Sequence, residues 1–155
     1  MKTFTTITLS LLATLHFAGA APFSEDGQDE MLSVLVSYDQ KYDVGGTSLN
    51  TVACSDGDNG LESRFPTFSD LPAFPRIGGA LTIAGWNSTS CGSCYALHYQ
   101  SGDTDQTINV LAIDAASGRF NIGLQAFNQL TDNQGVKLGS VTATYTPIAD
   151  SECGM

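Results

Sequence analysis

Residues 85–97 have the sequence GWNSTSCGSCYAL and contain two of the four cysteines, the only tryptophan and the only Asn-x-Ser/Thr sequon of the chain. Tyr95, Leu97 and Tyr99 alternate with smaller or polar residues, which predicts a strand with one apolar face. Cys91 and Cys94 then lie at the entrance of this strand, an odd number of residues apart. Odd spacing in extended chain points two side chains in opposite directions, so the pattern disfavours a bond between these two cysteines.

The N-terminus has the features of a secretory signal. Lys2 supplies a positive start, residues 7–15 are mostly apolar, and Ala18-Gly19-Ala20 is a small-residue cleavage site. We therefore expect residues 1–20 to be a signal peptide. The apolar run is too short to span a membrane. The sequence predicts a secreted, extracellular protein without a membrane span.

The charge of the chain is strongly acidic. Residues 21–33 carry four carboxylates and no basic residue, which predicts an acidic leader or pro-segment before a domain over residues 34–155. From Val34 onward, twelve Asp and Glu oppose five Lys and Arg, a formal charge near −7. Such a surface repels nucleic acid and anionic membranes. It is compatible with neutral polysaccharides as partners.

Four cysteines in a secreted chain predict two disulfides, which can pair in three ways. We favour Cys54–Cys91 with Cys94–Cys153, and the alternative is Cys54–Cys94 with Cys91–Cys153. Either arrangement closes long loops, each contributing about 4 kcal/mol of stability in the chain-entropy model. A redox or zinc site at Cys91-x-x-Cys94 is disfavoured, because the secretory route oxidises thiols and the mature chain has a single histidine, His98. We expect neither a metal nor a cofactor.

Short strands dominate the rest of the chain. Alternation predicts strands over 34–38, 80–86, 91–99 and 141–146, and the run 108–114 is apolar enough for a strand buried on both faces. A polar hairpin loop is predicted at 101–105 and a short helix over 47–53. Leu124, Phe127 and Leu130 recur at helical spacing, in a helix that residues 133–135 end. About six strands with one or two short helices predict a mainly β, closed or nearly closed barrel.

Several motifs in order resemble those of the cerato-platanin family of small secreted fungal proteins. They cover essentially the whole chain from about Val34 to Met155. The matching stretches are Val36-Ser37-Tyr38-Asp39, Ala53-Cys54-Ser55-Asp56-Gly57-Asp58-Asn59-Gly60-Leu61, Asp70-Leu71-Pro72, Gly85-Trp86-Asn87-Ser88, Cys91-Gly92-Ser93-Cys94, residues 108–114, Phe120-Asn121-Ile122 and Leu130-Thr131.

The resemblance implies a six-stranded double-psi β-barrel, like the first domain of expansins, and the disulfide pairing that we favour. It also implies a location in the fungal cell wall and medium, binding and loosening of chitin or cellulose without hydrolysis, and recognition by a plant surface receptor as a defence elicitor. In two respects the sequence differs from the family pattern: residues 101–106 indicate a longer loop than the usual short turn, and the acidic leader over residues 21–33 is longer than usual.

Two carboxylates are candidates for contacts with a saccharide. Asp114 ends the buried strand, where the resemblance to expansins places a functional aspartate, and Asp39 follows Tyr38 at the end of the first strand. The alternatives are that Asp114 caps the turn that follows it and that Asp39 is a solvated strand end. If Asp114 serves ligand binding alone, Asp114→Ala should reduce binding and leave the melting temperature nearly unchanged.

Four further residues are candidates for a saccharide groove. Trp86 and Tyr38 offer flat faces that could stack on a sugar ring, although either could instead fill the core. Asp56 and Asn59 could line the groove or bond their own loop. Asn87 heads the sequon and is a glycosylation candidate.

These features support three functional hypotheses. The first is a non-catalytic protein that binds chitin or cellulose. The second is a surface-active elicitor that self-associates at interfaces. The third is a weak endoglucanase using Asp114 with Asp39, since glycosidases need two carboxyl groups roughly 5 to 9.5 Å apart. No nucleophile motif accompanies His98. We therefore expect a binding protein, and not an enzyme.

Overall fold

The computed structural model describes residues 32–155, which form a closed barrel of six strands with two helices. The predicted signal peptide and residues 21–31 of the predicted leader lie outside this part of the chain. The strands are β1 (Leu32–Tyr38), β2 (Ile77–Ala80), β3 (Cys94–Ser101), β4 (Thr104–Ala115), β5 (Arg119–Ile122) and β6 (Ser140–Ile148); the helices are α1 (Leu124–Leu130) and α2 (Gly135–Leu138). Single 3-10 turns cover Gln40–Asp43, Leu49–Thr51, Phe68–Asp70 and Asp150–Cys153.

The strands follow one another around the barrel in the order β1-β5-β2-β4-β3-β6. The pairs β1–β5 and β2–β4 are parallel, and the other neighbours are antiparallel. A closed sheet leaves no free edge strand. The prediction of a mainly β, six-stranded double-psi barrel with short helices is confirmed.

Period-two patterning places the core where the sequence predicts it. In β6, Val141, Ala143 and Tyr145 are buried and the residues between them are more exposed. In β4, four consecutive residues from Val110 to Ile113 are buried, so this strand is covered on both faces. Burial of an aliphatic or aromatic side chain stabilises a fold by roughly 1.5 to 3 kcal/mol, so these positions fix the register of the barrel.

The two disulfides join Cys54 to Cys91 and Cys94 to Cys153, which confirms the favoured pairing. β3 begins at Cys94, and Cys91 lies in the preceding turn, where Gly92 has a φ of +82°. Strand alternation therefore does not set the direction of the Cys91 side chain.

The predicted strand over 80–86 is wrong. β2 ends at Ala80, and a hydrogen bond from Ile83 N–H to Ala80 C=O turns the chain at once. β2 contains the glycine pair Gly78-Gly79 and passes between β4 and β5, where a Cβ at Gly78 would collide with the carbonyl oxygen of Asn121. Because β2 ends early, Trp86 lies on a loop.

The hairpin between β3 and β4 is tighter than predicted. Ser101 pairs with Thr104, so only Gly102 and Asp103 form the turn. The prediction of a long loop over 101–106 is therefore wrong, and its outer residues continue the two strands.

Two other boundaries differ from the prediction. β1 begins at Leu32, so Leu32 and Ser33 belong to the barrel and not to the leader; Ser33 pairs with Thr144. A second helix, which the sequence pattern does not predict, also follows α1. Asp132 and Asn133 turn it with positive φ, and α2 then begins at Gly135.

Candidate functional site

The Asp114 carboxylate, near the end of β4, accepts four hydrogen bonds. Oδ2 accepts from the Tyr42 hydroxyl and from Lys41 Nζ, both at 3.0 Å. Oδ1 accepts from the backbone N–H of Ala53 at 3.0 Å and of Ala115 at 2.9 Å. An ionised carboxylate has about four acceptor positions, and all of them are in use here. We call Lys41, Tyr42, Ala53 and Asp114 the Asp114 cluster.

The 3-10 turn Gln40–Asp43 presents Lys41 and Tyr42 to Asp114. Asp39 is the N-cap of this turn, because its Oδ1 accepts a hydrogen bond from Lys41 N–H at 2.9 Å. Burial, and then the charge and hydrogen bond of Asp114, raise the pKa of the Tyr42 hydroxyl, with a smaller contribution from the charge of Asp39. The Tyr42 hydroxyl therefore stays protonated at neutral pH and donates its hydrogen bond to Asp114.

Trp86 and Asp56 form a second feature, which we call the Trp86 platform. The indole is 64% exposed, and its N–H donates to Asp56 Oδ1 at 2.6 Å. This hydrogen bond is the main reason that the pKa of Asp56 is lowered. The bond also restrains the orientation of the ring. The platform thus offers solvent a flat apolar face beside an ionised carboxylate.

A shallow cavity of about 320 Å³ adjoins the platform. Asp56 contributes to its wall, and so does Glu62, whose Oε1 accepts a hydrogen bond from Asn50 Nδ2 at 2.6 Å. The complete lining consists of hydroxyl, carboxylate and glycine residues: Ser55, Asp56, Gly57, Gly60, Glu62 and Ser63. Such a surface offers hydrogen-bond partners to a polar ligand.

Asn59 and Asn87 hold the loops beneath the platform together. Asn59 N–H donates to Asn87 Oδ1 at 2.9 Å, and Asn59 Nδ2 donates to the Asn87 carbonyl oxygen at 3.0 Å. Gly57 lies against the same amide with a φ of +92°, and a Cβ there would be 2.7 Å from Asn87 Oδ1. Asn59 therefore makes a structural contact. The side chain of Asn87 makes one too, and its glycosylation stays a prediction.

Ala53 connects the two features. Its N–H donates to Asp114, and its carbonyl oxygen accepts from Asn87 N–H at 3.4 Å, one residue from Trp86. The next residue, Cys54, donates its N–H to Ile113 of β4 and is bonded to Cys91. The Asp114 cluster and the Trp86 platform therefore flank one backbone segment.

The structure brings together most of the predicted site residues, but not Tyr38. Asp39 caps the turn that presents Lys41 and Tyr42 to Asp114. Asp56 lies with Trp86 on the other side of Ala53. Tyr38 is half-buried, with its ring 5.5 Å from that of Phe127 on α1. Its ring belongs to the packing beneath α1.

Sequence reasoning missed Lys41 and Tyr42. A signal was present in the repeated Tyr-Asp pairs at Tyr38-Asp39 and Tyr42-Asp43. The second pair has its own role, because the Asp43 carboxylate accepts hydrogen bonds from Leu124 N–H and Gln125 N–H at 2.8 and 3.0 Å and so caps α1. Gly123, which precedes that helix, has no side chain that could do so.

Residues 32–155 contain no group of three His, Cys, Asp or Glu side chains that could hold a metal ion. None of the helices in this part of the chain is long and apolar enough to cross a membrane.

Comparison with known proteins identifies relatives over the whole described region. A family model for Cerato-platanin matches residues 34–155. The allergen Asp f 15 of Aspergillus fumigatus is 50% identical over 153 residues, which cover 99% of this chain and 97% of the allergen.

Solved structures give the same result for the fold. The crystal structure of cerato-platanin 2 from M. perniciosa superposes with a TM-score of 0.77 at 41% identity, covering 79% of this chain and 99% of that protein. The solution structure of the fungal elicitor Cerato-Platanin superposes with a TM-score of 0.69 at 36% identity, covering 77% and 96% of the two chains. The barrel is thus shared at substantial sequence identity.

Proposed function

The chain is a member of the cerato-platanin family, and from that premise we propose that it is a small secreted fungal protein that binds chitin or cellulose without cleaving them. Binding takes place on the surface formed by the Trp86 platform and the Asp114 cluster. The protein acts in the fungal cell wall and medium, where binding loosens the polymer.

The observation that carries this proposal is the exposed indole of Trp86. Trp86 is 64% exposed, and a hydrogen bond of 2.6 Å from its indole N–H to Asp56 restrains the exposed ring. A flat, restrained aromatic face beside polar groups fits the apolar face of a pyranose ring, with hydroxyls bonding at the rim. The adjoining cavity extends these polar contacts.

Asp114 suits binding better than hydrolysis. A general acid has to deliver a proton to the leaving oxygen, whereas all four contacts of Asp114 are with hydrogen-bond donors. Asp39, the other carboxylate of the endoglucanase hypothesis, is engaged as a helix cap. Both carboxylates are thus arranged as acceptors, and a role in orienting sugar hydroxyls is consistent with this arrangement.

The proposal is tested by calorimetric titration of the mature protein with hexamers of N-acetylglucosamine and of glucose. Trp86→Ala should reduce affinity for the bound hexamer about fivefold, and Trp86→Phe should retain part of it, because stacking of an aromatic ring contributes on the order of 1 kcal/mol. Val136→Ala is the control, because it shortens an exposed apolar side chain that lies on α2 and not on the platform. Equal affinities for all four proteins would refute the role of the platform.

A second candidate function is self-association at interfaces. Large apolar side chains are exposed on β1 and on α2, namely Leu32, Leu35, Val136 and Leu138. Exposed apolar surface of this kind favours adsorption to air or lipid boundaries. Film formation without polysaccharide, reduced in Leu35→Ser with Val136→Ser, would support this function.

We also propose that the protein acts as an elicitor. Two relatives are described as an allergen and as a fungal elicitor, so hosts recognise proteins of this fold. The partner on a plant would be a surface receptor. Induction of defence responses by the wild type and by Trp86→Ala alike would indicate recognition of the fold and not of the bound sugar.

A further inference from the structure

We propose that Lys41 limits the affinity of this surface for saccharides by competing with the ligand for the Asp114 carboxylate. This inference rests on the proposed function of saccharide binding, and it assigns Lys41 a role that the sequence analysis does not include. A saccharide hydroxyl that bonds to Asp114 first has to displace Lys41.

The four donors around Asp114 differ in how easily they can leave. Two are backbone N–H groups, of Ala53 and Ala115, whose positions the fold sets. The third is the hydroxyl of Tyr42, a residue that is 1% exposed and packed against Phe68. The fourth is Lys41 Nζ, whose side chain is 47% exposed. Lys41 is the only one of the four that can move away without disturbing the core.

A ligand donor can therefore reach Asp114 only by replacing Lys41. The exchange is unfavourable for a neutral hydroxyl, because the hydrogen bond from an ammonium to a carboxylate is about twice as strong as a neutral one.

The Lys41 ammonium also lies beside the Tyr42 ring. While it is bonded to Asp114, its Nζ is 4.7 Å from the centroid of this ring, and it can keep that contact when a ligand takes its place at the carboxylate. Displacement therefore costs the ion pair but not the position of Tyr42. Exposed ion pairs contribute up to about 1 kcal/mol, which corresponds to an affinity change of about fivefold at most.

The test compares Lys41→Met with the wild type, and Lys137→Met, at an exposed position on α2, is the matched control. Affinities are measured for the hexamer of N-acetylglucosamine and for the hexamer of glucose, both neutral, at low and high salt. We expect Lys41→Met to bind the hexamer that the wild type binds about two- to fivefold tighter, and Lys137→Met to bind it like the wild type. Added salt should strengthen binding of this hexamer by the wild type and not by Lys41→Met, because salt screens the competing ion pair.

Each other outcome overturns the inference. An unchanged affinity in Lys41→Met would mean that the ligand does not use the position held by Lys41, and a weaker affinity would mean that Lys41 contacts the ligand directly. An equal gain in Lys137→Met would mean that the gain comes from the net charge of the protein and not from the position of Lys41. If the wild type binds neither hexamer, the proposed function fails together with the inference, whereas binding by the wild type with any of the other results refutes the inference alone.

Discussion

The indole N–H of Trp86 donates a 2.6 Å hydrogen bond to the Asp56 carboxylate, across thirty positions of sequence. The two residues come from different loops, which Asn59 and Asn87 tie together and which the Cys54–Cys91 disulfide anchors to one another. The bond turns a mobile exposed side chain into a surface of defined orientation. Restraint before binding lowers the entropy that a ligand has to offset.

Asp56→Asn should weaken that restraint. An amide oxygen can still accept from the indole, but the hydrogen bond loses its charge assistance and becomes weaker. We expect faster local motion of Trp86 in time-resolved fluorescence anisotropy and an affinity for the hexamer lowered about two- to fivefold. Asp132→Asn is the control, since Asp132 is exposed in a turn with a φ of +50°, which asparagine adopts well. Similar effects of both substitutions would indicate a general charge effect.

The Trp86–Asp56 contact should persist in mild acid. Because the pKa of Asp56 is lowered in the folded protein, the stabilisation that this contact provides is fully present above the pKa of the unfolded state and is lost as the pH falls through the folded value. Trp86 fluorescence should therefore change only below the ordinary aspartate value of about pH 3.9. The transition should be absent from Asp56→Asn, and a midpoint above that value in the wild type would contradict this prediction.

Asp114→Ala should destabilise the fold, contrary to the expectation from sequence alone. The substitution leaves the hydroxyl of Tyr42, a 1% exposed residue, and the Ala53 N–H without their acceptor, and an unsatisfied buried donor costs about 1 to 3 kcal/mol. Equilibrium urea unfolding measures the change. Asp114→Asn keeps an acceptor at Oδ1 and should lose less. An unfolding free energy within about 0.5 kcal/mol of the wild type for Asp114→Ala would show that these hydrogen bonds are dispensable.

Gly57→Ala should disturb both the fold and the platform. Gly57 has a φ of +92°, and the added Cβ would lie 2.7 Å from Asn87 Oδ1, so the loop that carries Asp56 has to move. We expect a loss of about 1 to 3 kcal/mol in unfolding free energy and weaker saccharide binding. Gly46→Ala is a matched control because nothing lies within 4 Å of its Cβ position. Equal stability of the two variants would show that the loop adapts freely.

Much of the barrel could be predicted because the hydrophobic patterns that define its strands are local in sequence. Alternation located β6, a continuous apolar run located β4, and the four cysteines limited the pairings to three. β2 was misplaced because its defining feature is the pair Gly78-Gly79, which carries no hydrophobic pattern and is a strand only because β4 and β5 enclose it. α2 was missed because the turn at Asp132 and Asn133 restarts a helix that its four residues alone do not predict.

The sequence pointed to several residues of the candidate site but not to the contacts that they make. Asp114, Asp56 and Trp86 stood out by residue type and position, but the partner of each lies far away in sequence. Lys41 and Tyr42 are more than seventy positions from Asp114 and meet it only because the barrel closes. Asn59 and Tyr38 were predicted to contact a saccharide. In the fold, Asn59 is instead hydrogen-bonded to Asn87, and the ring of Tyr38 packs against that of Phe127.

Binding without hydrolysis can be tested by a pull-down of the mature protein on insoluble chitin and on insoluble cellulose, with soluble reducing ends assayed in the same tubes over a day. We expect depletion of the protein from solution on at least one polymer, no release of reducing ends, and loss of depletion in Trp86→Ala. Release of sugar that disappears in Asp114→Ala would refute binding without hydrolysis and identify an enzyme. Failure to bind either polymer would contradict it as well, in favour of the interfacial function.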